Sequence, residues 1–376
     1  MKVAIVTFLV SLRLNGGMVM FGKYDGTMAE LGKKVDNIPV VSFIDSCLRG
    51  IAEVFIANNP VTGLFILAAM FVADLWLGLA STAGVIVATA TAHLLGFDRG
   101  QIRIGLFGFN GFLVGAAIPI FMAGTEMNQL VYIIVFGAFS TVVMKAMMRI
   151  MEPFGLGAFT LPFNIVTLIL LFGALNYSHA TVGPLINPSL PVAGRAVDVV
   201  TSVDSDFVLN AVFRGIGQLV LADSILSGIL VFLGLLVASR IMAFWAVVGS
   251  VIGMITGIAL GVNQGAMYAG LWGYNAYITA IAIGGVFFVL NGKTALYAAF
   301  AAVCSQLLAG AMATFMAPWG MPILTLPFCF AAILFIAVGR TSSWLIPIGC
   351  PLTTPEEHIE WYKVALSNTV SNKVTF

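Results

Sequence analysis

Glu53 stands inside the apolar stretch RGIAEVFIANNPVTG (Arg49–Gly63), and Gln218 stands inside RGIGQLVLADSILSG (Arg214–Gly228). Both side chains offer an acceptor oxygen. An ionisable group in intramembrane surroundings is a functional candidate. The structural alternative is an ion pair with Arg49, four residues earlier on the same helix face. Because the place is filled again by Gln218, the shared requirement is an oxygen rather than a negative charge. Thr160 and Thr325 form a second pair, each followed by Leu-Pro-Phe. A hydroxyl beside a proline can bond a freed carbonyl or a passing solute. Phe109 and Tyr274 form a third pair, with Leu113 and Ile278 one helical turn later. Ordinary packing accounts for such side chains, but an apolar constriction also excludes hydrated ions and leaves room for a flat molecule.

Every one of these pairs is offset by 165 residues. IGLFGFNGFLVG, from Ile104, matches AGLWGYNAYITA, from Ala269. GLGAFTLPFN, from Gly155, matches GMPILTLPFC, from Gly320. Shared composition would not hold one register over three blocks, so the chain is internally duplicated. Transport proteins built from repeats place their substrate site at the repeat interface. Asn58–Pro60 reads as a helix stop, and Asp223–Ser224 in the copy keeps turn-forming chemistry without the proline. Helices that end inside a protein leave free carbonyls, which suit a donor-rich solute.

The elements that must hold these residues follow from composition. Of 376 residues, 60% are hydrophobic and 9% charged, and the mean hydropathy is +1.05. So little charge cannot cover a water-facing surface of this size. The expected fold is an all-α polytopic membrane protein of two inverted homologous halves, with about ten transmembrane helices and two re-entrant half-helices. The spans fall near 62–79, 81–97, 105–124, 128–146 and 158–175, then 227–243, 244–262, 270–290, 294–313 and 323–340. Short apolar segments at 46–58 and 211–223 precede each set. Five spans per half force inversion, because the count is odd. Residues 1–40 form a peripheral segment, 41–182 and 206–349 the two repeats, and 350–376 a tail with a short surface helix. Lysine and arginine show no asymmetry from which to orient the chain.

Together these motifs resemble the urea transporter family, in its bacterial-type form. NNPVTG at 58–63, LFGFNGFLVG at 106–115, FTLPFN at 159–164 and LTLPFC at 324–329 carry the resemblance, which runs from about Val40 to Gly349. It implies a homotrimer in the bacterial inner membrane, surrounded by lipid, with a slot-shaped pore and selectivity filter in each protomer. Urea, and in some members related amides or ammonia, would pass as through a channel, down its gradient. The family's acceptors fall on Glu53 and Gln218, its central threonines on Thr160 and Thr325, and its slot walls on Phe109, Leu271, Tyr274, Leu113 and Ile278. Ile56 and Leu219 join the lining, and the oxygen ladders fall near Val54–Ala57 and Leu219–Ala222. Four departures stand out: ADS replaces NNP, Tyr274 replaces an apolar ring, Leu271 is aliphatic, and Gly111 is answered by Ala276.

Other classes find less support. An ion-coupled secondary transporter of a small amide or ammonium-like solute is the alternative, with Glu53, Asp74 and Asp223 as coupling acids. Their repeat partners Gln218, Ser239 and Asn58 do not titrate. An enzyme needs a constellation that His93, His179 and His358, far apart in sequence, do not suggest. Four scattered cysteines lack metal or redox spacing, and no cofactor motif is present. A net charge of +1 without a basic tract argues against nucleic acid.

Overall fold

Short polar side chains set where the helices begin. Asn59 accepts hydrogen bonds from the amides of Val61 (2.8 Å) and Thr62 (3.0 Å), and Pro60 opens the helix they belong to. Such a cap, with proline in the first turn, satisfies amides that have no intrahelical partner. Asp74 does the same for the next helix through Leu77 (2.8 Å). Ser224 and Ser239 occupy the equivalent places in the second repeat, capping through Ser227 and Met242.

The computed structural model describes residues 25–371 apart from 184, 193–196 and 350–352. Residues 1–24 of the expected N-terminal segment, Cys350 and the end of the tail lie outside that range. Among the described residues the chain is helical, with three isolated bridges and no longer strand. The first half holds α1 (Ala29–Val35), α2 (Pro39–Glu53), α3 (Pro60–Ala73), α4 (Leu75–Leu94), α5 (Gly108–Phe121), α6 (Glu126–Met151) and α7 (Leu161–Ala174). In the second half, 205–218 is broken by a π turn at Asn210–Arg214. It is followed by α8 (Ile225–Ala238), α9 (Arg240–Leu260), α10 (Tyr274–Ile281), α11 (Gly292–Met316), α12 (Leu326–Thr341) and α13 (Pro355–Ser371). Both ends of α8 stand 165 residues beyond those of α3. Left-handed backbone recurs at the same offset, at Ile56 and Leu221 and at Phe159 and Leu324.

Four helices are long and apolar enough to cross a membrane: Leu75–Leu94, Glu126–Phe154, Arg240–Leu260 and Gly292–Trp319. The apolar helices Pro60–Ala73, Gly108–Phe121, Leu161–Ala174, Ile225–Ala238 and Leu326–Thr341 are shorter. A helix of about 14 residues rises about 21 Å, against an apolar bilayer thickness of about 30 Å. The expected ten spans are corrected to these four. The cause is local: runs such as 62–79 cross a break at Asp74, and 270–290 crosses a π turn at Ala282–Val286. Two long helices per half are an even number, so the argument for inverted halves falls. The expectation of an integral protein of a bacterial inner membrane, with a channel threading ten transmembrane helices, came from composition and the resemblance as well as from the count. It is corrected with the count, because among the described residues four helices, not ten, are long and apolar enough to cross.

The helices pack on one another across long sequence separations. α3 and α8 meet between the halves, where Thr62 Oγ1 donates to the Gly234 carbonyl (2.6 Å) and Ser227 Oγ to that of Ala69 (2.8 Å). Gly105 and Gly270, at φ +80° and +76°, lie directly on the backbones of Gly50 and Gly215. No side chain fits between them, and this contact seats the short segments that carry Glu53 and Gln218.

Asn110 and Asn275 place the threonine pair. Asn110 Oδ1 accepts from the Phe163 amide (2.9 Å), and Asn275 Oδ1 from the Phe328 amide (3.1 Å). Each thus serves a free amide in the first turn of α7 or α12. Pro162 and Pro327 also lie in those first turns, so they begin helices rather than interrupt them.

Two outcomes are expected. Gly105→Ala and Gly270→Ala each lower stability by about 2–4 kcal/mol, through a positive φ and overpacking together; thermal unfolding of the purified protein reads the loss. Asn110→Leu lowers it by about 1–3 kcal/mol, because a buried amide loses its acceptor, and chemical unfolding curves compared with the parent protein check it.

Candidate functional site

The two threonine hydroxyls meet. Thr160 Oγ1 and Thr325 Oγ1 are 2.7 Å apart, both buried, although 165 residues separate them. Two cavities flank this contact. One, of about 280 Å³, is lined by Thr160 with Glu53, Ile56, Phe109 and Phe159. The other, of about 390 Å³, is lined by Thr325 with Gln218, Leu219, Leu271 and Tyr274. Nine of the sequence-derived residues therefore fall into two groups joined by the threonine bond. Leu113 and Ile278 do not: both are fully buried and line neither cavity.

Glu53 ends α2, and the turn after it is closed by amides at 54–57 bonding back to Ile51, Ala52 and Glu53 carbonyls. Arg49 does not take Glu53 as its hydrogen-bonding partner. It donates to Asp45 (2.8 Å), to Asn58 Oδ1 (2.7 Å) and to the Thr27 carbonyl (2.7 Å). Glu53 Oε1 instead accepts from Asn58 Nδ2 (2.7 Å), which also donates to the Ile104 carbonyl (2.7 Å). Asn58 is therefore a strut beside the turn, not the end of a helix.

In the second repeat one side chain covers what two do in the first. Gln218 Nε2 donates to the Ala269 carbonyl (2.9 Å), the counterpart of Ile104. A carbonyl only accepts, so the amide nitrogen is fixed there and Oε1 is the acceptor that remains. Asp223, at the position of Asn58, is left to pair with Arg214 at 2.6 and 2.8 Å. The repeats thus exchange an acid and an amide: Glu53 with Asn58, Gln218 with Asp223. In the second oxygen ladder the Ala222 carbonyl is already taken by the Ser224 amide (3.0 Å), leaving it a weaker candidate.

The departures have local explanations. Tyr274 Oη donates to the Leu324 carbonyl (2.8 Å), so the ring faces the cavity with its hydroxyl already satisfied. Leu271 lines the same cavity and is 44% exposed, as at a mouth. The sequence reading missed Phe159, Phe287 and Phe328. Phe159 sits edge-on to the other two, with centroids 5.6 and 5.5 Å away, and all three line the smaller cavity. Phe159 directly precedes the first Thr-Leu-Pro-Phe run and Phe328 is the phenylalanine of the second, but Phe287 belongs to a turn that no motif marks. Asn164 and Cys329, partners in the repeat, were also missed, and both touch the threonine pair.

The acids considered for ion coupling each have a structural partner. Asp74 caps α4, Asp223 pairs with Arg214, and Glu53 is bound to Asn58. Among the described residues, no cluster of three or more histidine, cysteine or acidic side chains could hold a metal ion.

A sequence profile described as "Urea transporter" matches residues 44–340. The chain is 31% identical to "Urea transporter 1" of Capra hircus over 354 residues, which is 93% of this chain and 91% of the relative. It is 31% identical to "Urea transporter 1" of Rattus norvegicus over 323 residues, 85% and 83% of the two chains. These matches do not distinguish a bacterial-type member, so that part of the expectation is replaced by the family as a whole. The chain belongs to the urea transporter family, and it is accordingly not an enzyme.

Proposed function

We propose that the protein carries urea passively, down its gradient, through a slot formed by the two cavities and the threonine pair between them. The observation that carries this reading is the 2.7 Å contact between Thr160 and Thr325, each lining one of the two cavities. Urea is flat and neutral, and its rim is mostly N–H donors. Glu53 and the Gln218 oxygen offer acceptors to that rim, while Phe109, Phe159 and Tyr274 face its apolar faces. A buried donor recovers its lost hydration only by hydrogen bonding. A cation entering the same walls would lose far more solvation than the few oxygens return. Shape and acceptor placement together select a flat neutral amide. The same reading includes a homotrimer with one slot per protomer, and light scattering of the purified protein measures that mass.

Ion coupling is not part of this reading, because Asp74 and Asp223 are committed to structure and Glu53 serves as an acceptor beside Asn58. Urea flux into vesicles carrying the purified protein is expected to be unchanged when sodium and proton gradients are collapsed. A strict gradient requirement overturns passive passage. Thr160→Val is expected to lower flux about fivefold, the size of one lost hydrogen bond, in protein that still folds with a single cooperative unfolding transition. Full flux in that variant removes the threonine from the path.

Glu53 separates charge from acceptor capacity. Glu53→Gln keeps one acceptor oxygen, whose second lone pair serves the solute while it accepts from Asn58, so flux is expected within about twofold of the parent. Glu53→Leu leaves Asn58 short of an acceptor and is expected to lose about fivefold or more. Stopped-flow urea permeability of both variants decides whether the oxygen or the charge is required.

A further inference from the structure

Asn164 is wholly buried in the first turn of α7, beside the threonine pair. Its Oδ1 accepts from the Thr325 amide (3.0 Å), and its Nδ2 donates to the Thr160 carbonyl (2.7 Å). An amide N–H only donates and a carbonyl only accepts, so these two contacts fix which end of the side chain is nitrogen. The same Nδ2 lies 2.9 Å from Thr325 Oγ1. Thr325 Oγ1 is therefore an acceptor toward Asn164. A hydroxyl that accepts a hydrogen bond becomes a better donor to the next group. The next group is Thr160 Oγ1, at 2.7 Å.

The repeat partner of Asn164 breaks the symmetry. Cys329 Sγ lies 3.2 Å from Thr160 Oγ1 and 3.7 Å from Asn164 Nδ2. Sulfur is a weak acceptor and cannot hold a hydroxyl proton as an oxygen would. One side of the pair thus has an amide that drives it, and the other has a thiol that only weakly opposes it.

We propose that Asn164 is a positioning residue that gives the threonine pair a direction, Asn164 to Thr325 to Thr160, so that Thr160 presents a hydroxyl proton to the carbonyl oxygen of a planar amide solute. This rests on the slot reading above and adds a missing half to it. Glu53, the Gln218 oxygen and the turn carbonyls are acceptors that serve N–H groups. A solute carbonyl needs a donor instead, and Thr160 lines its cavity with one. The site then distinguishes solutes by the acceptor strength of their carbonyl as well as by their N–H rim.

Urea and thiourea test this, because they share the N–H groups and differ in whether the acceptor is oxygen or the weaker sulfur. Flux of both is measured in vesicles holding the purified full chain. The parent protein is expected to favour urea. Asn164→Asp keeps the acceptor for the Thr325 amide and removes the donor, so the urea-to-thiourea ratio should fall about fivefold. Thr325→Val removes the oxygen of the pair that could take the Thr160 proton, so it should lower the flux of both solutes and change their ratio by less than about twofold. Combined with Asn164→Asp it should restore most of the ratio that Asn164→Asp loses, since the reversed bond no longer has an acceptor. Equal losses for both solutes in Asn164→Asp, no recovery in the double variant, or a parent ratio near one overturns the proposal. If Asn164→Asp does not fold, Asn164→Ala, which also loses the amide donor, replaces it in both comparisons. Absence of urea flux in the parent protein would instead overturn the slot reading itself.

Discussion

The hydrogen bond between Thr160 and Thr325 is the contact on which the arrangement of the site depends. It joins two loops that are 165 residues apart in sequence. Each threonine follows a residue in left-handed backbone, Phe159 at φ 48° and Leu324 at φ 49°. L-residues with large side chains rarely adopt that conformation without support. The support is visible: Asn110 and Asn275 bond the first turns of α7 and α12, and Tyr274 donates to the Leu324 carbonyl. Those turns then aim both hydroxyls at one point.

On either side of that point, the duplication conserves geometry more closely than chemistry. Both repeats must satisfy one carbonyl that follows a short helical turn, that of Ile104 after Arg99–Arg103 and that of Ala269 after Gln264–Tyr268. The first uses Asn58, with Glu53 as an acceptor beside it; the second uses Gln218 itself. The acid displaced from position 218 reappears at Asp223, where Arg214 neutralises it outside the turn. In the first repeat Arg49 is neutralised earlier, by Asp45 within its own helix. Each half therefore places one acceptor oxygen at the cavity while solving its charge balance differently. This accounts for why an acidic and a neutral side chain can hold the same place.

Much of the site was legible because it is repeated. Glu53, Gln218, Thr160, Thr325, Phe109 and Tyr274 all announced themselves by a constant offset, and a repeated polar residue in apolar sequence has few purely compositional explanations. Asymmetric residues escaped for the same reason. Asn164 matches Cys329, so neither looked like half of a pair, although both touch the threonines. The helix count failed on a different property. Hydropathy averages over a run and cannot see a cap, so it places Asp74 and Ser239 inside the spans 62–79 and 227–243 although each caps a new helix. Pro162 and Pro327 pose the same difficulty, since a proline at a first turn and a proline in mid-helix look alike until the helix start is known.

Symmetry and direction then act at different levels of the same site. A symmetric pair of hydroxyls holds two protons and no preference for which oxygen gives one up. The amide of Asn164, fixed by a backbone donor and a backbone acceptor, cannot reverse itself. With no equal amide at Cys329, the bond between the threonines takes its direction from one side. In the proposed slot two near-equivalent cavities flank the pair, and the single unmatched amide selects which hydroxyl donates, a choice that equivalence alone would leave undetermined. A site of this kind keeps the shape constraint shared by both halves and confines its chemical discrimination to the narrow place where they touch.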